Sequence, residues 1–504
     1  MSDRHQMETL LKEMAANRVT QFSPSPYETG QYLRVSGRAG TTDSQVAYLL
    51  KTQRSDGLWG ADGFELVPTL GAIAGLASLS DAAVRPGVAD ALSRACRRLW
   101  DLASSEEGLA ALPDTVASEL ITPALIDGNR EVLRRYSPAG PERDFPQPPR
   151  ARPEFWRKLA GLIAAGQPIP KKLWHSLEVF HPLPSAFAGT VAAAEDGAVT
   201  CSPAATAAWV AAVGPEVGRG SLAYLDEVEG RYDGAIPMGS SMTFFELLWV
   251  LVPVLKYFPE IRVPNELITE LTDAFGETGI GGGPGLPPDG DDTSYLMLAM
   301  EMRGSVTDPA VLMKFWEDDH FISYKAEQTA SETVNAHAIE YLSRVRLRRG
   351  VQEYARTEDV CVDWLIAQQT TEGCWYDKWH ISPYYATHAC VEALLFSGKK
   401  TKTVVDSVER ARTWLLRSQQ EDGGWGIRKT TQEETAYAVL ALDCFVSNDP
   451  GRADEAAKAI TLANGVLSGQ DEETPPLWMG KDLYTPYRIV DTVESCGRVV
   501  AARY

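Results

Sequence analysis

The sequence is poor in several features that would point to other kinds of protein. Its 504 residues carry a formal net charge of -20, so the basic face needed by a nucleic-acid binder is lacking and no nucleic-acid partner is expected. Seven cysteines (Cys96, Cys201, Cys361, Cys374, Cys390, Cys444 and Cys496) are odd in number and scattered, with no close pair at metal-ligand spacing. Buried thiols in a reducing cytoplasm fit that pattern. No window reaches the unbroken apolar length of a membrane span. The first residues, MSDRHQMETLLKEM, lack the apolar core of a signal peptide. Strand signals are weak throughout. These absences leave a nearly all-helical, cytoplasmic chain of two or more domains with no integral membrane segment. The acidity also means that an anionic ligand must be held by a local cluster of Lys or Arg, against the field of the whole molecule.

What is present is a repeat. Residues 48–60 read YLLKTQRSDGLWG, residues 364–376 WLIAQQTTEGCWY, and residues 414–426 WLLRSQQEDGGWG. In each copy an apolar helical stretch ends at a Gln (Gln53, Gln369, Gln419), and an acid-Gly pair then makes a turn that Gly permits sterically. A Trp anchors the loop, and a second apolar helix follows, as in FELVPTLGAIAGL, SPYYATHACVEALL and EETAYAVLAL. Helical hairpins of this kind cannot bury their faces alone, so the pattern predicts stacking or closure into a toroid. Two further segments read as second helices, SETVNAHAIEYL at 331–342 and DDTSYLMLAM at 291–300. The latter aligns with EETAYAVLAL and places Asp291 and Asp292 at a helix start, where free N–H groups favour carboxylates.

The run Asp289-Gly290-Asp291-Asp292 follows the Pro/Gly loop GGGPGLPP. Three carboxylates so close cannot all ionise cheaply, so at least one should keep its proton and could serve as a general acid. A helix cap or a cation site would use the same residues.

PDGDDTS, taken with the Gln-x-x-Asp-Gly-x-Trp repeats, resembles the class II terpene cyclases. CWYDKWHISPYY (374–385) and PLWMGKDLY (476–484) are similar to segments of bacterial class II diterpene cyclases; LWHSLE (173–178) is similar to a stretch of plant copalyl diphosphate synthases. The resemblance implies an all-α fold of two α/α double barrels, one inserted in the other. Residues 1–40 with 236–504 would carry the acid, and 41–235 would form the insert. It implies that Asp291 protonates the terminal alkene of a prenyl diphosphate, tuned by Asp289 and Asp292 and oriented by a hydrogen bond from Asn335, with His337 structural. Lys158, Lys378 and Lys481 would hold the diphosphate. Mg²⁺ would accompany it, with Glu65 nearest to the family's acidic segment although FELVPTL departs from the pattern. No organic cofactor is implied. His175, Trp375 and Tyr385 would line the cavity between the barrels. The plant enzymes pair the counterpart of His175 with an Asn to hold a water, and here that place reads Ile236-Pro237-Met238. No class I Asp-Asp-x-x-Asp motif is evident, so the diphosphate would be retained and passed to a downstream class I terpene synthase. The expected reaction is cyclisation of geranylgeranyl diphosphate to a bicyclic diphosphate. The alternatives are the same reaction on farnesyl diphosphate, giving drimenyl diphosphate, and a non-catalytic α-toroid binding module.

Overall fold

The computed structural model describes residues 2–37, 42–105, 109, 115–449, 453–469 and 474–504. The protein is all-α, with two short antiparallel pairs among the described residues, Trp316–Glu317 with His320–Phe321 and Trp478–Met479 with Leu483–Tyr484. Capping sets the helix starts. Asp289, Ser331, Ser382 and Thr431 each turn a side-chain oxygen onto a free N–H of the helix that follows.

The helices fall into two kinds. Gly290–Met302, Glu332–Arg349, Pro383–Phe396 and Gln432–Asn448 are buried on nearly every side. Lys402–Ser418 buries a single stripe of Val404, Ser407, Ala411 and Leu415. Helices apolar all round belong inside, and striped ones outside. The four inner helices, with Thr243–Tyr257 and Tyr487–Ala501, pack neighbour to neighbour into a closed ring. A second ring closes through Pro26–Ser36, Leu66–Ala77, Ser118–Gly128, Lys171–Phe180 and Pro203–Val213.

The hydrophobic core follows these rings. One cluster joins Met7–Phe22 to residues 238–501, while two smaller clusters hold residues 27–236. Tyr27, Tyr32, Leu33 and Val35 pack with the second ring. The chain thus crosses between bodies near residue 25, ahead of the crossing expected at residue 40, and returns between Ile236 and Met238.

The repeat has one geometry in all three copies. Trp59, Trp375 and Trp425 are fully buried, and each indole N–H donates to a carbonyl ten residues earlier (Leu49, Leu365, Leu415; 2.8, 2.8 and 2.9 Å). The amides of Gln53, Gln369 and Gln419 donate both to the carbonyl of their own turn glycine and to a carbonyl of the next outer helix (Ala91, Ser407, Ala459), at 2.7–2.9 Å. Each Gln therefore pins one hairpin to its neighbour. Gly57, Gly373 and Gly423 lie at φ 95°, 108° and 90°.

Candidate active site

Between the two rings lies a cavity of about 320 Å³. Carboxylates line one part of its wall and lysines another, with aromatic and thioether side chains between.

The acidic run sits at the start of Gly290–Met302. Asp289 is its cap: Oδ1 accepts from the Asp292 N–H at 2.8 Å, and Oδ2 accepts from the Tyr324 hydroxyl at 3.2 Å. Burial raises Asp289 to about 6, and burial beside Asp289 pushes Asp292 well above the carboxylate range. Both oxygens of Asp289 already accept hydrogen bonds, whereas Oδ1 of Asp292 is buried with no partner. The pair therefore keeps its negative charge on Asp289 and its proton on Asp292. Capping and acid storage, open alternatives in the sequence, are two properties of the same side chains.

Asp291 is 6 % exposed and lines the cavity. Its Oδ1 shares a hydrogen bond of 2.7 Å with His337 Nδ1. The His337 ring stacks on Tyr295 at 4.2 Å and meets the Trp249 ring at 5.7 Å, so its direction is set by packing. This corrects the expected partner. Asn335 spends its amide on the backbone, accepting from Phe321 N–H (2.7 Å) and donating to the carbonyls of Phe321 (2.9 Å) and Ser331 (2.8 Å). Two residues apart on a helix means about 200° of rotation, so Asn335 and His337 cannot both face the acid.

At the cavity's outer rim, Lys378 Nζ donates to Glu327 Oε2 (2.6 Å) and to the Thr329 carbonyl (2.9 Å). Lys172, which the sequence reading passed over, is exposed at the same rim and donates to the Lys325 carbonyl at 2.7 Å. Its signal was position, three residues before His175 and directly ahead of the segment 173–178. Lys481 also touches the cavity, but it is 3 % exposed and its three donors are taken by Glu28, Glu178 and Ser202 at 2.9 Å each. Lys158 is exposed on Pro153–Ala164 and does not line the cavity.

Of the expected wall residues, His175 is in place. Burial and the Lys481 charge lower its imidazole to about 3, so it is neutral, and its Nδ1 meets Ser176 Oγ at 2.8 Å. Met238 lines the cavity as well. Trp375 is a repeat anchor, and Tyr385 stands behind the wall, accepting from the Trp249 indole at 3.0 Å. The walls themselves are Phe245, Trp249, Trp379, Trp478 and Tyr484, all outside the repeat copies, with Trp379 in the segment 374–385 and Trp478 and Tyr484 in the segment 476–484. Glu65 lies off the cavity with its carboxylate 3.5 Å from Arg54. Among the described residues no group of three His, Cys, Asp or Glu side chains could hold a metal, and the rim carboxylates Glu327 and Glu119 already bind Lys378 and Gln328. The residues do not present a protein-built magnesium site.

No helix is long and apolar enough to cross a membrane among the described residues.

The arrangement can deliver a proton into a largely apolar, π-rich space while an anion is held at the rim. Comparison with known proteins agrees with that chemistry. Residues 322–447 match the squalene-hopene cyclase C-terminal domain. The chain is 59% identical over 499 residues to terpentedienyl-diphosphate synthase of Kitasatospora griseola, covering 98% of this chain and 100% of the relative. It is 36% identical to copalyl diphosphate synthase of Streptomyces cyslabdanicus, over 92% of this chain and 89% of that one. Ent-copalyl diphosphate synthase from Streptomyces platensis superposes with a TM-score of 0.89 at 31% identity, over 99% of each chain. With an acid-bearing helix ring, a lysine rim and relatives of this identity along nearly its whole length, the chain belongs to the bacterial class II diterpene cyclases.

Proposed function

We propose that the protein cyclises geranylgeranyl diphosphate to a bicyclic diterpene diphosphate, protonating the terminal alkene from Asp291 and leaving the diphosphate attached. One observation carries this reading: Asp291, buried and held by His337, opens into an aromatic cavity whose rim presents Lys172 and Lys378. The relatives named for copalyl and terpentedienyl diphosphates support a C20 substrate over farnesyl diphosphate. A non-catalytic toroid would have no use for a buried carboxyl cluster facing an apolar chamber.

Each part of the site has a task in this reaction. Lys172 and Lys378 hold the anionic head as point charges. His337 orients Asp291. The charge on Asp289 keeps a proton on Asp292, so the cluster does not lose all its protons together. The ring faces of Trp249, Phe245, Trp478 and Tyr484 stabilise the carbocation without adding to it. Neutral His175 and Met238 border the same space, and Met238 offers no proton acceptor. Mg²⁺ enters in this reading on the diphosphate, which supplies ligands the protein does not, and not through Glu65. The product keeps its diphosphate and so suits a class I terpene synthase as the next enzyme. The setting is cytoplasmic.

The test is Asp291→Asn incubated with geranylgeranyl diphosphate, with products released by phosphatase and identified by mass spectrometry. Loss of cyclisation by about 10³-fold is expected, in line with removal of a general acid, with the circular dichroism unchanged. Wild-type turnover in the variant would refute the assignment.

A further inference from the structure

The segment Tyr324–Thr329 touches both the lysine rim and the acid cluster. At the rim, Lys172 donates to the Lys325 carbonyl, Lys378 donates to Glu327 Oε2 and the Thr329 carbonyl, and Gln328 bonds Glu119 (3.2 Å) and Arg152 (3.0 Å) of the second ring's side. At the acid, Tyr324 donates to Asp289 Oδ2. Glu327 joins the two ends. Its Oε2, besides taking Lys378, accepts from the backbone N–H of Ser323 at 3.1 Å and of Tyr324 at 3.3 Å, and its own N–H donates to the Tyr324 carbonyl. The turn between them holds Ala326 at φ 59°, a left-handed conformation costly for any residue but glycine. Glu327 lines the cavity, and its Oε1 is buried without a hydrogen-bond partner. A carboxylate beside two lysines that must take an anion competes with the ligand, so affinity alone gives no reason for it.

We propose that Glu327 is a positioning residue that couples the diphosphate-binding rim to the acid, through one chain of hydrogen bonds running Lys378–Glu327–Tyr324–Asp289. This rests on the reading of Asp291 as the acid and Lys378 as a diphosphate contact. Glu327 parks Lys378 at the rim and, through the same oxygen, shapes the turn that presents the Tyr324 hydroxyl to Asp289. An anion that draws Lys378 away changes the load on that oxygen and hence the placement of Tyr324. In the chain, Tyr324 supplies one of the two donors that keep the negative charge on Asp289.

The test is steady-state kinetics on E327Q, Y324F and the double variant, with geranylgeranyl diphosphate and with Asp291→Asn as the inactive reference. Y324F removes one oxygen and should fold as the parent does. It should lower kcat at least ten-fold with KM within three-fold. E327Q should lower kcat to a similar extent, although its side chain lies at the rim, and the double variant should be no slower than the slower single one. An unchanged kcat in Y324F overturns the proposal whether or not E327Q folds. So does an effect of E327Q on KM alone, or a double variant whose loss is the product of the two single losses. If the wild-type chain cyclises no prenyl diphosphate, the functional reading fails first. If it does and Asp291→Asn does not, these outcomes bear on the coupling alone.

Discussion

Asp289 shows how a single residue can serve the reaction at the expense of the fold. Its carboxyl is raised to about 6, chiefly by burial, from an ordinary value near 4. The folded state therefore binds this proton more tightly than the unfolded chain does. The stability linked to it is fully present below about pH 4 and is lost as pH rises through about 6. A shift of this size corresponds to an upper figure on the order of 3 kcal/mol. Asp289→Asn keeps the cap, since an amide oxygen can still accept the Asp292 N–H, and removes the titration. The variant should melt above the wild type at pH 7–8, with the gap closing towards pH 4; a gap that does not vary with pH would contradict this origin. At the same scale the sequence was legible in part. The acidic run could be read because crowded carboxylates are rare, but its partner depended on helix rotation, and a shift of two residues, about half a turn, exchanges His337 for Asn335. Lys158 was expected at the diphosphate and Lys172 was not, because a lysine's role depends on where its element ends up.

Among the elements, the repeat was the most legible feature because it uses residue types with narrow tolerances. Gly373 lies at φ 108°, and a Cβ there would sit 2.6 Å from the Arg410 carbonyl oxygen. Gly373→Ala combines backbone strain with a clash against a helix that cannot retreat, and a loss of about 2–4 kcal/mol is expected in denaturant unfolding. Gln369→Ala frees two carbonyls, of Gly373 and Ser407, and about 1–3 kcal/mol should go with them. If both variants unfold like the wild type, the clamp is not what ties neighbouring hairpins together. Pro26–Ser36 was less legible. Nothing local tells a helix which of two rings it will complete, and this one packs with the second ring although residues 1–40 were expected with the first.

For the whole molecule, the two bodies meet around a buried charge. Lys481, from the hairpin before the last helix, lies among Glu28, Glu178 and Ser202, all carried by the second ring or its borders. The expected diphosphate contact is thus an internal fastening. Lys481→Met strands two buried carboxylates and should cost about 3–5 kcal/mol, visible as a lower Tm. Lys172→Ala should leave Tm nearly unchanged and raise KM several-fold, and Lys378→Ala should raise KM likewise while lowering Tm less than Lys481→Met does, because Glu327 keeps two backbone N–H donors. The reverse pattern would return Lys481 to the substrate. That such a buried set exists could not be seen beforehand, because its members are 453 and 303 residues apart in sequence.

The helix Asp3–Ala16 packs on Tyr487–Ala501, and Arg498 grips Asp3 at 2.6 Å. Drawn as a circle, the polypeptide is two uninterrupted arcs, one for each ring, meeting near residue 25 and near residue 237. The nesting of one body inside the other is then only a matter of where the circle is cut. A permutant opened at Pro24, at the other crossing and off the cavity lining, and bridged by a short linker between Arg503 and Ser2 would list each body in one piece. It should still cyclise, since no strand of the cavity wall would change its neighbours.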